Sequence, residues 1–314
     1  MSKLPKSIDH VQVPPINCQG IKSDLVDFIA MNIEWDGEGR WVEPFLGSGV
    51  VPFNIEPEKA LLADANPHII EFYQGIYDGE FNGQIVRDFL EEHGERLEEQ
   101  GEDYYYKMRD EFNDGAGPLH LLFLNRSCYN GMMRFNLSGG YNVPFCKKPE
   151  RFTNRSGAYI TKIENQVNEL SNIMEGKDWE FRDWDWEKTL NSVESEDFVY
   201  LDPPYIGRNT GYIGEWKDNE AEKLAEVTQN IDGGFALSMW QDNKYRENEH
   251  IDECWSGNIV RSYEHFYYVG STEDLRNEMN EALVIKEGYE APEDKVKDLK
   301  GEHIEQTTLD NIAE

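Results

Sequence analysis

Asp202-Pro203-Pro204-Tyr205 sets a carboxylate, main-chain carbonyls and an aromatic plane within four residues. Proline has no N–H and drives the residue before it out of the helical region, so Asp202 and Pro203 are expected to lie extended with their carbonyl oxygens free. Such a loop suits the gripping of a flat ring that bears an exocyclic amino group. An amino group conjugated to adenine is a poor nucleophile, because its lone pair is spread into the ring. Two acceptors placed on its hydrogens favour a more tetrahedral nitrogen, whose lone pair can point at an electrophile. Tyr205 adds a stacking surface. The plain alternative is a turn after a strand, since Asp and Pro both form turns.

Three further stretches carry groups that suit a cofactor. Gly47-Ser48-Gly49 follows Trp41-Val42-Glu43-Pro44-Phe45-Leu46, and a Gly-x-Gly turn lets the backbone approach a ligand without Cβ interference. The apolar run Ala60 to Ala63 ends in Asp64, about where a Rossmann-like site places its ribose-binding carboxylate. Lys22 stands in a loop ahead of a helical pattern that is expected to open at Ser23 or Asp24, and such a loop suits a carboxylate ligand. Trp179 to Trp184 reads as another short strand, with Asp183 near its end as one more candidate. Cys18, Cys128, Cys146 and Cys254 are scattered, and the histidines lack metal-ligand spacing. No disulfide framework or metal site is expected.

The elements that position these groups follow from periodicity. Phe198-Val199-Tyr200-Leu201 reads as a buried strand whose carboxyl end carries the Asp-Pro-Pro-Tyr loop, the edge at which open α/β sheets bind ligands. Gly234 to Met239, Ile259 to Val269 and Glu281 to Ile285 read as further strands, and His68 to Leu124, Tyr159 to Met174 and Glu220 to Ile231 as helical. Met132 to Leu137, the turn Ser138-Gly139-Gly140, and Tyr141 to Phe145 have a hairpin signature, with Met132, Arg134 and Asn136 on one face and Met133, Phe135 and Leu137 on the other. The glycine-rich stretch Arg208 to Lys217 is a candidate lid, with Tyr212 and Trp216 as its aromatics. Residues 1–15 read as a poorly structured lead-in, and the polar stretch after Gly288 as a mobile tail.

The formal charge of −32 taken whole argues against nucleic acid, but its distribution does not. Between Asn125 and Lys162, the residues Arg126, Arg134, Lys147, Lys148, Arg151, Arg155 and Lys162 face Glu150 alone. A basic island on an acidic chain is a local docking surface, and a hairpin fits the DNA major groove, where arginine pairs bidentately with guanine. The acidic remainder is consistent with a high-salt cell interior. With no long apolar stretch and no signal-peptide pattern, a soluble cytoplasmic protein with no membrane association is expected.

Together the motifs resemble the Dam family of DNA adenine-N6 methyltransferases. The order is that family's α arrangement: Gln19-Gly20-Ile21-Lys22, then Glu43-Pro44-Phe45-Leu46-Gly47-Ser48-Gly49, a target-recognition insertion, and Asp202-Pro203-Pro204-Tyr205. Tyr129 to Asn136 with Asn142-Val143-Pro144-Phe145 is specific to it. The resemblance implies an α/β fold: a Rossmann-like S-adenosylmethionine-dependent methyltransferase sheet over residues 1–66 and 157–287, with an inserted, mostly helical target-recognition domain over 67–156 that carries a β-hairpin, and an acidic tail over 288–314. It implies that Lys22, Phe45, Gly47, Gly49, Asp64, Asp183 and Asp202 bind S-adenosylmethionine. Asp202, Pro203, Pro204 and Tyr205 would hold a flipped adenine. Arg134 would read a guanine, Met132 and Pro144 would contact a thymine, and Tyr129, Asn130, Asn136, Lys147 and Lys148 would complete the DNA contacts. The implied partner is double-stranded DNA at GATC, with a cognate restriction endonuclease as a functional partner and a monomer as the working unit. The chain departs from the family at Asn17, where a lysine reading the outer guanine is usual, and at Ile21 and Cys146, where glycine is usual.

Two rival readings remain at this level. Related loops methylate cytosine N4 or RNA, and an acidic chain can be a non-catalytic DNA mimic or binding module.

Overall fold

The computed structural model describes residues 3–136, 138–153, 157–205, 216, 218–243, 246–268 and 276–300. Within them, β1 (Trp41–Glu43), β2 (Lys59–Ala63), β3 (Asp178–Arg182), β4 (Phe198–Leu201), β5 (Gly234–Asn243), β6 (Arg246–Glu247), β7 (Ile259–Tyr268) and β8 (Arg276–Ile285) form one sheet. Its order is β3-β2-β1-β4-β5-β8-β7, with β6 pairing β5 off that path. The first five strands are parallel, and β8, β7 and β6 are antiparallel to their neighbours. The chain leaves β1 towards β2 and β3, then returns to place β4 on the other side of β1. That reversal opens a crevice at the carboxyl ends of β1 and β4, the expected ligand position in such sheets.

Helices flank the sheet: α1 (Val26–Asn32), α2 (Pro52–Ile55), α3 (Pro67–Tyr77), α4 (Gly83–Gln100), α5 (Glu102–Asn113), α6 (Pro118–Ser127), α7 (Ala158–Met174), α8 (Trp186–Leu190), α9 (Asp218–Gln229), α10 (His250–Cys254) and α11 (Glu293–Leu299). Alternation along each strand splits the core between the two faces. Trp41, Phe198 and Tyr200 point to one cluster, which also contains Phe53 and Tyr73 and runs without a break into the helical insertion through Tyr105, Phe123 and Phe145. Val42, Val199 and Leu201 point to the other, beneath α8 and α9 with Trp186, Leu190 and Leu224. β1 and β4 are buried along their whole length, which is why β4 reads as a continuous apolar run.

Four expectations are corrected. The lead-in is fixed: Leu4 is buried and exchanges backbone bonds of 2.9 and 3.2 Å with Trp35, Lys6 Nζ donates to Ile55 O at 2.8 Å, and Gln12 N donates to Asn54 Oδ1 at 2.8 Å. Neither Ser23 nor Asp24 caps α1, which starts at Val26 after a turn closed by Leu25 N donating to Lys22 O. The hairpin keeps its predicted faces, with Met133 and Phe135 buried, but among the described residues it forms no regular ladder and shows the isolated bridges Phe135 to Tyr141 and Cys128 to Phe145. Asn113 of α5 takes both backbone groups of Tyr141, Asn136 Oδ1 takes the N–H groups of Ser138 and Gly140, and Pro144 has no N–H to give. Leu137 lies outside the described residues. The stretch after Gly288 is docked as far as the described chain runs: Glu34 N donates to Tyr289 O, Ala291 is buried and donates to Asn32 O, and Lys295 of α11 pairs with Glu34 at 2.9 Å. Residues 301–314, like the lid stretch around Tyr212, lie outside the described residues.

The leading ends of β1 and β4 are joined by Arg40 and Asp197. Asp197 is 4% exposed and accepts from the Arg40 backbone N–H at 2.9 Å, from its guanidinium at 2.6 Å, and from Glu194 N at 2.9 Å. Removing the acid strands a half-buried cation, so Asp197→Ala is expected to lower stability by about 3 kcal/mol. Urea unfolding followed by circular dichroism checks this, and a change within error of zero would contradict it.

Candidate active site

The glycine bend is built first by backbone bonds. Leu46 N donates to Ala63 O at 2.9 Å, and Gly49 N to Leu46 O at 2.8 Å. Gly47 and Gly49 hold φ of 52° and 70°, and a Cβ on Gly49 would come within 2.6 Å of the Phe53 ring. Glycine is therefore required at that position. Asp64 locks the bend from the neighbouring strand: Oδ2 accepts from Gly47 N at 2.8 Å and Oδ1 from Asn66 N at 2.9 Å. Burial pushes the Asp64 carboxyl up to about 6, against the pull of those two N–H groups.

Above the bend opens a cleft of about 310 Å³, within the size range of small-ligand sites. Lys22, Glu43, Phe45, Ser48, Tyr200 and Asp202 are among its lining residues. The glycine bend and the Asp-Pro-Pro-Tyr loop thus share one open space, as the sequence requires. Gly47, Gly49 and Asp64 support the lining, and Asp183 sits exposed at the end of β3 outside it.

Lys22 is 4% exposed, and its Nζ lies 2.8 Å from Asp202 Oδ1, 3.0 Å from Gly20 O and 5.0 Å from the centre of the Tyr205 ring. Burial raises the Asp202 carboxyl above its usual range; Lys22 opposes that rise and Glu281 adds to it. Glu43 is 2% exposed and accepts from Trp41 Nε1 at 2.7 Å, and burial pushes its carboxyl well above the usual range. The cleft wall therefore carries two acids whose carboxyls burial pushes upward, one of them ion-paired with the lysine that lines the same wall.

Pro203, Pro204 and Tyr205 face a second hollow of about 430 Å³, lined also by Trp216, Met239, Trp240 and Asn248. Trp216 lines this hollow, and its ring meets Phe45 of the cleft edge-on at 5.6 Å. Asp202 and Tyr205, three residues apart, hold the boundary between the two. Sequence reasoning missed Glu43, which is legible as part of its motif, and Glu281, which accepts from Tyr205 Oη at 2.8 Å and has no local signal.

On the hairpin, Arg134 Nε donates to Asn142 Oδ1 at 2.7 Å and its Nη2 to Asn142 O at 2.9 Å, which fixes the guanidinium and leaves its remaining N–H groups for another acceptor. Tyr129 is 53% exposed, and Asn130, at φ 54°, turns the chain beside it. Pro144, Asn136, Lys147 and Lys148 are exposed, and Met132 is half-buried. Asn17 ties this surface to the cleft: it exchanges bonds of 2.8 and 2.9 Å with the side chain of Asn125 in α6, and it packs on Gly131.

Residues 19–274 match the family of D12 class N6 adenine-specific DNA methyltransferases. The chain belongs to this family. It is similar to the Type II methyltransferase M.MjaIII of Methanocaldococcus jannaschii, 28% identical over 252 residues that cover 72% of this chain and 82% of that one. It is also similar to the DNA adenine methylases of Haemophilus influenzae, 29% identical over 217 residues (64% and 69% covered), and of Vibrio cholerae, 29% identical over 261 residues (78% and 86% covered). The protein is thus an adenine-specific DNA methyltransferase on a Rossmann-like sheet. Its described residues contain no helix long and apolar enough to cross a membrane.

In this methyltransferase the Asp64 lock is pH-sensitive. With its carboxyl near 6 in the folded chain and about 3.9 when unfolded, the folded state holds a proton that the unfolded state has lost between those values. The stability from this group therefore falls as pH rises from about 4 to 6 and is level above. Melting curves across that range should show the wild type losing stability relative to Asp64→Asn, and parallel curves would contradict the assignment.

Proposed function

We propose that the enzyme transfers the methyl group of S-adenosylmethionine to N6 of an adenine extruded from double-stranded DNA, with GATC as its site. The observation that carries this reading is the position of Asp202 between a cleft over the glycine bend and a hollow behind Tyr205. The cleft fits the cofactor's charge: two buried carboxyls beside one engaged lysine leave room for a cationic ligand and would be stabilised by it. Lys22, Glu43, Phe45 and Ser48 would hold it, with Gly47 and Gly49 giving close backbone approach and Asp64 and Asp183 standing on the ribose side. When bound, its sulfonium supplies a methyl group with a good leaving group.

The chain's own groups then do the rest. An amino group cannot be reached inside the stack, so the target adenine must leave the duplex. Tyr205 would stack on the base, while the Asp202 carboxylate and the Pro203 carbonyl accept the two N6 hydrogens and turn the nitrogen lone pair towards the cleft. No covalent enzyme intermediate is needed, because alignment and charge supply the rate. Asp202 need not be a strong base, since the methylated nitrogen sheds its proton readily.

The DNA is proposed to lie on the basic hairpin, with Arg134, oriented by Asn142, reading a guanine and Met132 and Pro144 beside a thymine. Tyr129 and Asn130 would support the opened duplex, and Asn136, Lys147 and Lys148 would face the backbone. A monomer is proposed as the working unit. A relative named a Type II methyltransferase supports a cognate restriction endonuclease as a functional partner.

Asp202→Ala should lower methyl transfer to plasmid DNA by at least about 100-fold. Cofactor binding, read by equilibrium dialysis, should weaken far less than the rate, since Glu43, Phe45 and the glycine bend remain. Mass analysis should find N6-methyl-2′-deoxyadenosine in the wild-type product, and N4-methyl-2′-deoxycytidine or full activity of the variant would overturn the reading. Arg134→Ala should cost about 1–3 kcal/mol of preference for the G·C pair it contacts, measured by competition between duplexes that differ at that pair. An equal loss on every duplex would place the arginine on the backbone instead.

A further inference from the structure

Tyr205 is held at both its face and its tip. The Lys22 ammonium lies 5.0 Å from the ring centre, and the phenol donates to Glu281 Oε2 at 2.8 Å. Glu281 is 1% exposed. It stands on β8, on the same sheet face as the core residues Leu283 and Ile285, where alternation directs it inward. Its ladder partners are Trp240 of β5 and Tyr263 of β7, and β5 bulges between Trp240 and Asp242. Bulges beside active sites re-aim side chains, and here the re-aimed strand is the one that lines the second hollow with Met239 and Trp240. A glutamate inside a sheet is unfavourable both in propensity and in burial, so the fold alone gives no reason for an acid at this position. Glu281 also lies beyond residue 274, where the match to the family stops.

We infer that Glu281 is a positioning residue for methyl transfer, anchoring the Tyr205 hydroxyl so that the ring plane on which the base stacks is fixed relative to Asp202. This rests on the reading of Tyr205 as the base-stacking surface. The geometry forms a chain of contacts: Asp202 to Lys22 at 2.8 Å, Lys22 to the Tyr205 ring, and the Tyr205 hydroxyl to Glu281. A ring tethered only at Cβ can swing, and a displacement of about 1 Å in a stacking platform is enough to misplace the reacting nitrogen. With its tip bonded to a side chain on a central strand, Tyr205 is set by the sheet rather than by its own loop. Burial, reinforced by the charges of Asp202 and Glu281, raises the phenol well above its usual range, so it stays a donor at every working pH.

The test compares the full-length wild type with Glu281→Ala, Glu281→Gln, Tyr205→Phe and the double variant Glu281→Ala/Tyr205→Phe in steady-state methylation of duplex DNA. Loss of a hydrogen bond to a charged acceptor should lower kcat roughly 10-fold to 100-fold in Glu281→Ala. KM for the cofactor should stay within about threefold, because the cleft is untouched. Glu281→Gln keeps a carbonyl acceptor and should recover most of the rate. Tyr205→Phe should lose about as much as Glu281→Ala, and the double variant no more than either, since both remove one interaction. Wild-type kcat in Glu281→Ala, or losses that multiply in the double variant, would overturn the inference. Should Glu281→Ala not fold, Glu281→Gln decides: a rate near that of Tyr205→Phe overturns the role of the acceptor, and a rate near wild type sustains it. A wild-type protein that methylates no adenine would instead remove the reading of Tyr205 on which the inference stands.

Discussion

The 2.8 Å ion pair between Lys22 and Asp202 is the contact on which the site depends. Lys22 opposes the upward push of burial on the Asp202 carboxyl, and the pair fixes the Asp-Pro-Pro-Tyr loop against a different segment of chain. That segment also carries Asn17, bonded to Asn125 in the helical insertion and packed on Gly131 of the hairpin turn. A single stretch from Asn17 to Lys22 therefore joins the surface proposed for DNA to the carboxylate proposed for the amino group.

The sheet gives this contact a rigid base. β4 lies between β1 and β5, buried on both faces, and its leading end is pinned through Asp197 to Arg40. The glycine bend after β1 is pinned through Asp64 to the neighbouring strand. In both places one aspartate satisfies backbone N–H groups, which fixes geometry more sharply than apolar packing does. Helical insertion and sheet share one continuous core through Tyr105, Phe123 and Phe145, so the hairpin rides on the same body as the cleft. On a strongly acidic chain, the exposed Lys147 and Lys148 beside Arg134 mark a local region suited to a polyanion.

What was legible in the sequence was local. Proline and glycine act on their own residue and the one before it, so the Asp-Pro-Pro-Tyr loop and the Gly-x-Gly bend could be read without the fold. Alternation gave the two faces of the hairpin for the same reason. Its missing ladder was not legible, because the groups that take its backbone bonds come from Asn113 on another helix and from the Asn136 side chain. The segments around Leu4 and Ala291 read as loose ends because each is held by a few backbone bonds to distant partners, which leave no periodic trace. Glu281 was hidden for a related reason: alternation with Leu283 and Ile285 puts it on an inward face, but its partner, the Tyr205 hydroxyl, comes from a distant loop and leaves no local trace.

The most direct measurement is a crystal structure of the enzyme bound to duplex DNA and an unreactive analogue of its methyl donor. The expected result is an adenine outside the helix, stacked on Tyr205, with N6 about 3 Å from the Asp202 carboxylate and facing the cleft above Gly47. An adenine still paired in the duplex, or an N6 turned away from Asp202 with the donor on the far side of β4, would contradict it.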